Sequence, residues 1–194
     1  MPSDTAVGFV EDKEDFLMDN INTAAADGVK WLVSSDTGDT AFVVTDSVAD
    51  GVAKATLAAT DDNMCEIGED NFALRVQDGY LMVEARLKVD VVTTVAFNIG
   101  LNDDALEDSN SLPVELSVTT FTTNSRTWIG FVFDTDATND YVHAFWVDDD
   151  SDCAEAIADL KFGFAPTAAE YATYRIELTD RGSGYGVRAV FSIV

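Results

Sequence analysis

Acidic side chains are the most numerous reactive groups in this chain, and they cluster between the predicted strands. Asp and Glu account for 36 of the 194 residues. Carboxylates that converge from a loop suit Ca²⁺, and the segment with Asp134, Asp136 and Asp140 begins like a calcium loop. Its sixth position is Asn139 instead of Gly and its twelfth is Phe145 instead of Glu, which excludes an EF-hand. We predict turn capping and solubility as the main role of the acids, with no cofactor; a calcium ion at Asp134, Asp136 and Asp140 is the alternative.

The chain has one histidine, His143, which limits the catalytic sites that it can build. Zinc sites with two or three imidazoles are impossible, and a Ser-His-Asp triad would depend on this residue. His143 lies between Val142 and Ala144 in a predicted strand, where alternation places it on one face with Phe145. This position is typical of a hydrogen-bonded core histidine rather than a general base. Motifs of hydrolases, phosphate loops and dinucleotide sites are also missing from the sequence.

Glycoside hydrolysis needs only two carboxyl groups, so the acids of the predicted strands are candidates for this chemistry. A retaining enzyme places them about 5 Å apart, for example at alternate positions on one strand face. The acids within the predicted strands are Glu84, Glu115 and Glu177, and each is isolated among apolar or basic neighbours. We predict exposed positions on outer sheet faces and no enzymatic activity. A glucanase-like hydrolase that uses Glu84 or Glu177 is an alternative.

Aromatic side chains offer another kind of chemistry, since flat rings can stack on sugar faces. The chain has three Trp and five Tyr, and Trp31, Trp128 and Trp146 are the widest rings. Trp128 and Trp146 lie in predicted strands that are rich in Phe. We therefore predict core packing for these rings, and a sugar-binding platform that includes Trp31 or Trp146 is the alternative.

Strict alternation of apolar and polar residues is the dominant pattern that would position these groups. It is clearest at 80–91, where an apolar residue stands at every second position. Segments of this kind are rich in Val, Phe, Tyr and Thr and are separated by Asp, Asn, Gly and Ser, which favour turns. About nine such segments predict an all-β, antiparallel sandwich, with a possible helical turn at 152–160. The predicted strands are 72–76, 80–91, 95–101, 114–121, 127–133, 141–147, 158–164, 171–179 and 185–194.

The net charge of −25 excludes whole classes of partner. Nucleic acids and anionic bilayers attract basic surfaces and repel one this acidic. The sequence contains neither a signal-peptide pattern at its start nor an apolar window long enough to span a membrane. Cys65 and Cys153 are far apart in sequence, and we predict small apolar residues rather than a disulfide.

Residues 1–30 are predicted to form an N-terminal arm, and residues 31–194 the β-sandwich domain. The arm has too few apolar residues for a stable isolated helix. It is either one short helix or an extended segment that docks onto another subunit through its apolar side chains. Those side chains are Phe9, Phe16, Leu17 and Ile21.

Three segments resemble a known family. GYLMVEARLKVDVVTTVAFNIGLNDD at 79–104, WIGFVFDTDATNDYVHAFWVDDD at 128–150 and PTAAEYATYRIELTD at 166–180 look like virion proteins of tailed bacteriophages. These proteins have a concanavalin-A-like lectin/glucanase fold, so the resemblance implies a jelly-roll sandwich. The quoted segments are strand and turn signatures and include no catalytic motif.

The resemblance implies a capsid decoration or cement protein on the virion exterior. Its partner would be the outside of the major capsid protein shell, and it would act as a homo-oligomer, with a trimer as the first expectation. A lectin-like carbohydrate- or receptor-binding module on the virion is the alternative. Sandwiches of this family usually continue beyond the strand at 187–194. We therefore expect either a longer protein or an open sheet edge that a neighbouring subunit covers.

Overall fold

In the computed structural model the protein is all-β, with antiparallel sheets and a single helical turn within the part of the chain that is described. The structure describes residues 31–35, 40–45, 51–58, 63–69, 76, 79–104, 106, 111–153, 157–182 and 184–194. By its contacts the chain divides into two compact units, residues 1–67 and 68–194. The predicted boundary between an arm and a domain at residue 30 lies outside the described residues and stays a prediction.

Four short strands precede the segments with the clearest alternation. They are β1 (Trp31–Ser35), β2 (Thr40–Val44), β3 (Ala53–Thr56) and β4 (Cys65–Glu69). β1 pairs with β4, and β2 pairs antiparallel with β3. The sequence predicts a β domain here but not these strands, because segments of four or five residues are too short to establish a periodicity. The predicted strand at 72–76 lies outside the described residues except for Val76.

Two larger sheets form the second unit. One has the order β11-β10-β9-β6 and the other the order β13-β12-β5. Their strands are β5 (Tyr80–Lys88), β6 (Ala96–Asn102), β9 (Trp128–Asp134), β10 (His143–Asp148), β11 (Ser151–Asp152), β12 (Tyr171–Asp180) and β13 (Val187–Ile193). The predicted strands that begin at 80, 95, 127, 141, 171 and 185 are thus confirmed within a few residues.

A first core cluster joins these two sheets. Phe97, Phe131 and Phe133 from β6 and β9 pack with Tyr174 and Ile176 of β12. Phe97 stacks on Phe133 at 5.1 Å, and Tyr174 meets Phe131 edge-on at 5.3 Å. The two sheets therefore face each other through a core of aromatic rings, which contribute more than their buried area alone.

A second core cluster lies on the opposite face of β9 and β10. It contains Trp128, Val132 and Phe145, which alternate with the residues of the first cluster along their strands. A hairpin covers this face, and Val114 and Leu116 of that hairpin are fully buried. The sheet that contains β9 is thus buried on both sides, which explains why β9 is an almost continuous apolar segment.

The covering hairpin corrects one prediction. The segment 114–121 is not a single strand but the start of two, β7 (Val114–Ser117) and β8 (Thr120–Thr123). The chain turns at Val118, whose φ of 56° is unusual for a β-branched residue. Its amide donates to the Asp136 carbonyl at 2.8 Å, and its carbonyl accepts from the amide and hydroxyl of Thr138. These three bonds stabilise a turn that residue type alone does not indicate.

The predicted strand at 158–164 is also wrong. It begins as a helical turn, α1 (Ile157–Leu160), which agrees with the helical turn considered for 152–160. Leu160 is buried in the second core cluster. The chain then runs alongside Val142, whose amide donates to Phe164 and whose carbonyl accepts from Phe162. The alternation of Phe162 and Phe164 is therefore real, although it is not part of a strand.

Candidate functional site

The solvent side of the sheet β13-β12-β5 is the candidate site, and we call it the outer face. Alternation turns every second residue of these strands outward, opposite to the first core cluster. The outer face consists of Tyr80, Met82, Glu84, Arg86 and Lys88 of β5, Tyr171, Thr173, Arg175, Glu177 and Thr179 of β12, and Arg188, Val190 and Ser192 of β13.

Positive charge is concentrated on this surface. Four of the 11 Lys and Arg of the chain belong to it, against two carboxylates of its own, Glu84 and Glu177, and the neighbouring Asp90, which pairs with Lys88. The outer face is therefore net positive on a protein whose net charge is −25. Such a local reversal favours an anionic partner at this surface.

Arg175 is the centre of an ion network on the outer face. Its Nε and Nη2 donate to Glu84 Oε2 at 2.8 and 2.6 Å, and its Nη1 lies 3.8 Å from Glu177 Oε1. The hydrogen bond to Glu84, and then its charge, raise the pKa of Arg175. Tyr80 donates to Glu177, and its pKa is raised by desolvation first and by Glu177 next. All four side chains are exposed or half-buried, so the network orders the surface more than it stabilises the fold.

A second cluster surrounds Tyr171 at the other end of the outer face. The Arg86 guanidinium carbon lies 4.4 Å from the centre of the Tyr171 ring, and Lys88 Nζ lies at 5.7 Å. Lys88 also pairs with Asp90 at 3.3 Å. This cation–π contact holds the Arg86 guanidinium over the ring, and Arg86 is exposed.

Glu84 and Glu177 lie on an outer sheet face and are partly exposed, as predicted. The sequence does not predict that one guanidinium contacts both. Arg175 and Glu177 stand two residues apart on one strand, which is visible in the sequence, whereas the register that places Arg175 opposite Glu84 is not. Glu115, the third acid considered, lies on the covering hairpin β7 and accepts from Asn124 Nδ2 at 3.0 Å.

His143 is a core residue, as predicted. It is 1% exposed, lies on the second-cluster side of β10 and meets Phe121 edge-on at 5.9 Å. Within the described residues no partner is found for Nδ1, so the prediction of a hydrogen-bonded histidine is wrong for that atom. Desolvation lowers the pKa of His143.

Among the described acids in the turns, Asp134 caps the turn that follows β9. Asp134 Oδ1 accepts from the Asp136 amide at 2.9 Å, and burial raises the Asp134 pKa. Asp149 and Asp150 form the turn between β10 and β11 with φ of 49° and 62°, which Asp tolerates better than most residues. Asp140 is exposed. Among the described residues no three His, Cys, Asp or Glu side chains converge as a metal site. Calcium at Asp134, Asp136 and Asp140 stays a prediction.

The tryptophans are mainly packing residues. Trp128 is 2% exposed in the second core cluster, which confirms its core position, and Trp146 packs against the same cluster while half-buried. Trp31 is half-buried in β1. The exposed rings are instead Tyr80, Tyr171 and Tyr185.

The remaining features are the two cysteines, a cavity and the apolar arm residues. Cys65 and Cys153 remain thiols and are half-buried. A cavity of 60 Å³ between the two sheets, lined by Leu87, Phe97 and Tyr174 among others, has room for a few waters but not for a sugar ring. The apolar arm residues Phe9, Phe16, Leu17 and Ile21 lie outside the described residues.

A search for membrane-spanning helices in the described residues finds none. Comparison of the chain with family models, with curated proteins and with solved structures finds no match. Support for a function therefore comes from the outer face and from the segments at 79–104, 128–150 and 166–180.

Proposed function

We propose that this protein is a capsid decoration or cement protein of a phage virion, which binds the outside of a major capsid protein shell and stabilises it. Its β domain would be a concanavalin-A-like jelly roll, and it would act as a non-enzymatic homo-oligomer, with a trimer on local threefold axes as the first arrangement to test. The resemblance of 79–104, 128–150 and 166–180 to phage virion proteins supports this proposal.

The outer face is the observation that carries the proposal. Arg, Tyr and Met are enriched in protein interfaces, and here they lie together on one open sheet surface. Tyr80, Met82 and Tyr171 are 55%, 46% and 42% exposed. A surface with large exposed side chains and a local excess of cations suits the acidic face of a protein lattice better than a small substrate.

A lattice also compensates for a weak single contact. Charged side chains at the rim of an interface add little affinity each. Many copies presented on a symmetric shell gain from avidity, so the protein needs no deep pocket. The outer face has the composition for many weak and simultaneous contacts.

Binding to capsids that lack the protein tests this function directly. We expect saturable co-sedimentation of the purified protein with such capsids, and particles that withstand heat and low salt better once it is bound. Arg188→Glu should weaken binding at least about tenfold, since a reversed charge meets an acidic surface. Lys161→Glu is the matched control, because Lys161 is exposed outside the outer face and near Tyr141.

Two results would overturn the proposal. One is a protein that fails to bind such capsids. The other is virions without the protein that are as resistant to heat and low salt as complete ones. Equal loss of binding in the Arg188 and Lys161 variants would show that the outer face is not the contact surface.

A lectin-like module is the second candidate, and the exposed ring of Tyr171 between two cations favours it. An aromatic ring with flanking cations suits an acidic sugar. Saturable binding on a glycan array that Tyr171→Ala abolishes with the fold intact would favour this function over a cement. Trp31→Ala and Trp146→Ala test the platform considered from the sequence.

A further inference from the structure

We propose that two copies of this chain pair antiparallel through the free edge of β5 and form one continuous six-stranded sheet. The contact is a twofold one, with Ala85 on the axis. It places Glu84 of each copy opposite Arg86 of the other. This inference concerns the contact between copies and does not depend on the capsid proposal.

The hydrogen-bond pattern of β12 shows which backbone groups of β5 are free. Thr173 exchanges two hydrogen bonds with Val194, at 2.8 and 3.0 Å, so the odd-numbered residues of β12 bond to β13. The even-numbered residues therefore bond to β5, as the bond from the Asp180 amide to the Gly79 carbonyl at 3.1 Å also indicates. Their partners on β5 are the odd-numbered residues, from Leu81 to Leu87.

The even-numbered residues of β5 consequently direct their amides and carbonyls away from the sheet. They are Met82, Glu84, Arg86 and Lys88 at the centre of the strand, with Tyr80 at its start. No backbone hydrogen bond to these groups is found within the described residues, and β5 is the last strand of its sheet there. A row of open donors and acceptors on an extended strand is a template for another strand.

The inner side chains of β5 indicate that its free edge has room for a further strand. Along the inner side of β12, Tyr174, Ile176 and Leu178 are 2%, 1% and 5% exposed. The inner residues of β5 stay half-buried along its whole length, although they have the same apolar character. A strand added at this edge would cover them and extend the first core cluster.

The charge sequence of β5 makes a second copy the fitting partner. In antiparallel pairing the open residues must face each other. The register with Ala85 on the axis brings Glu84 opposite Arg86 of the other copy twice, and Met82 opposite Lys88 twice. A register with Glu84 on the axis would place Glu84 opposite Glu84. A register with Arg86 on the axis would place Glu84 opposite Lys88 twice, but it would also place Arg86 opposite Arg86. Of the three, only the Ala85 register is fully hydrogen-bonded, with about eight bonds, and combines two opposite-charge pairs with no like-charge pair.

Within one copy both side chains already have a partner on β12, and pairing between copies would add a second partner to each. Arg175 occupies one oxygen of the Glu84 carboxylate, Oε2, and no bond to Oε1 is found within the described residues. The Arg86 guanidinium is held on the Tyr171 ring. For a protein of net charge −25, an edge that pairs opposite charges avoids the repulsion that separates two copies elsewhere.

The free edge of β13 is less suited than that of β5 to pairing with a second copy. Its sequence carries one charged residue, Arg188, so no register of two β13 strands forms an opposite-charge pair. β5 is also longer, with nine residues against seven. The two edges are therefore distinguishable by experiment.

Sedimentation of the free protein tests the dimer. We expect a species of twice the 20.9 kDa monomer mass at tens of micromolar and moderate salt. Arg86→Glu alone and Glu84→Arg alone should each dimerise at least about tenfold more weakly, because each creates two like-charge pairs. A mixture of the two variants should dimerise again, since every pair is then of opposite sign. Arg188→Glu, with the same charge change on β13, should leave the dimer intact.

A cross-link provides a test that is independent of charge. Ala85 would face its own copy as a non-hydrogen-bonded pair, with Cα atoms about 4.5 Å apart, which suits a disulfide. Oxidised Ala85→Cys should form a covalent dimer beyond the background of Cys65 and Cys153, whereas Ala189→Cys on β13 should not.

Three outcomes would overturn the proposal. The first is a wild-type protein that stays monomeric at 0.2 mM, which is about a hundredfold or more above a micromolar dissociation constant. The second is a dimer that Arg86→Glu leaves unchanged, and the third is a pair of variants that do not dimerise when mixed. No capsid is present in these experiments, so their failure leaves the capsid proposal standing, and the reverse also holds.

Discussion

At the scale of single residues, His143 shows how burial decides what a reactive side chain does. Its type suits acid–base chemistry, but it is 1% exposed and surrounded by rings of the second core cluster. Within the described part of the chain Nδ1 has no hydrogen-bond partner, and desolvation lowers the pKa of the ring. The folded protein therefore disfavours the imidazolium form, which links this residue to the pH dependence of stability.

The pH dependence of stability follows from this shift. The unfolded chain takes up a proton at His143 below the ordinary pKa of 6.5, while the folded chain does not until a lower pH. The free energy of unfolding should therefore fall as the pH drops below 6.5 towards the folded-state pKa. We expect urea unfolding of the wild type to show a larger loss between pH 7.5 and pH 5.5 (about one unit on either side of the ordinary value) than that of His143→Gln. Parallel pH profiles of the two proteins would contradict this.

At the scale of elements, the contact between β6 and β9 depends on two facing glycines. Gly100 and Gly130 are paired directly, and the Trp128 ring lies over them. A Cβ atom on Gly130 would lie 2.6 Å from Trp128 Cζ2 and closer still to the Ile99 carbonyl oxygen. The absence of both side chains lets the widest ring of the second core cluster lie flat on its own sheet.

Gly130→Ala should therefore destabilise the protein, although Ala usually favours the folded state over Gly. We expect a loss of about 1–3 kcal/mol in the free energy of unfolding, the usual cost of overpacking a core. Gly163→Ala is the matched control, because a Cβ there meets nothing within 4 Å, and its effect should stay within about 0.5 kcal/mol. Denaturant unfolding measures both, and equal stability of the two variants would show that Trp128 moves aside without cost.

At the scale of the whole molecule, the net charge of −25 is the dominant electrostatic fact. The few ion pairs on the described surface, such as Arg175 with Glu84 and Arg126 with Asp149, neutralise only a small part of it. Self-repulsion opposes contact between copies and also opposes the compact state. The outer face and the edge of β5 are the places where this repulsion is locally reversed.

Salt should consequently stabilise the protein. The Debye length falls from about 30 Å at 0.01 M to about 3 Å at 1 M salt, so repulsion between surface carboxylates is screened. We expect the thermal unfolding midpoint to rise over this range of NaCl, by about 2–4 °C for each kcal/mol of repulsion removed. A midpoint that falls with salt would mean that attractive pairs dominate. CaCl₂ at matched ionic strength serves as the test of calcium at Asp134, Asp136 and Asp140, because only a specific site raises the midpoint further.

The sequence by itself determined the class of fold and the chemistry of the surfaces. β9 and β10, which lie in the sheet that is buried on both sides, are predicted from their Val- and Phe-rich composition and from the turn residues around them. Period-two alternation predicted β5, β6, β12 and β13, because a strand with one buried and one exposed face leaves this pattern in any context. The same pattern predicted that Glu84 and Glu177 are exposed and that His143 and Trp128 are buried. It did not predict β1 to β4, whose short segments lack alternation, or the turn at Val118, which depends on bonds to residues 136 and 138.

Only the tertiary structure decided which residues meet. The positive outer face is assembled from strands about ninety residues apart, and the pairing of Glu84 with Arg175 spans 91 positions. Such partners are set by cross-strand register, which the alternation of a single strand does not encode. The free edge of β5 is likewise a property of strand order. Local periodicity determines which face of a strand is exposed to solvent. Long-range packing determines which other strands lie beside that face, and therefore what the assembled surface can bind.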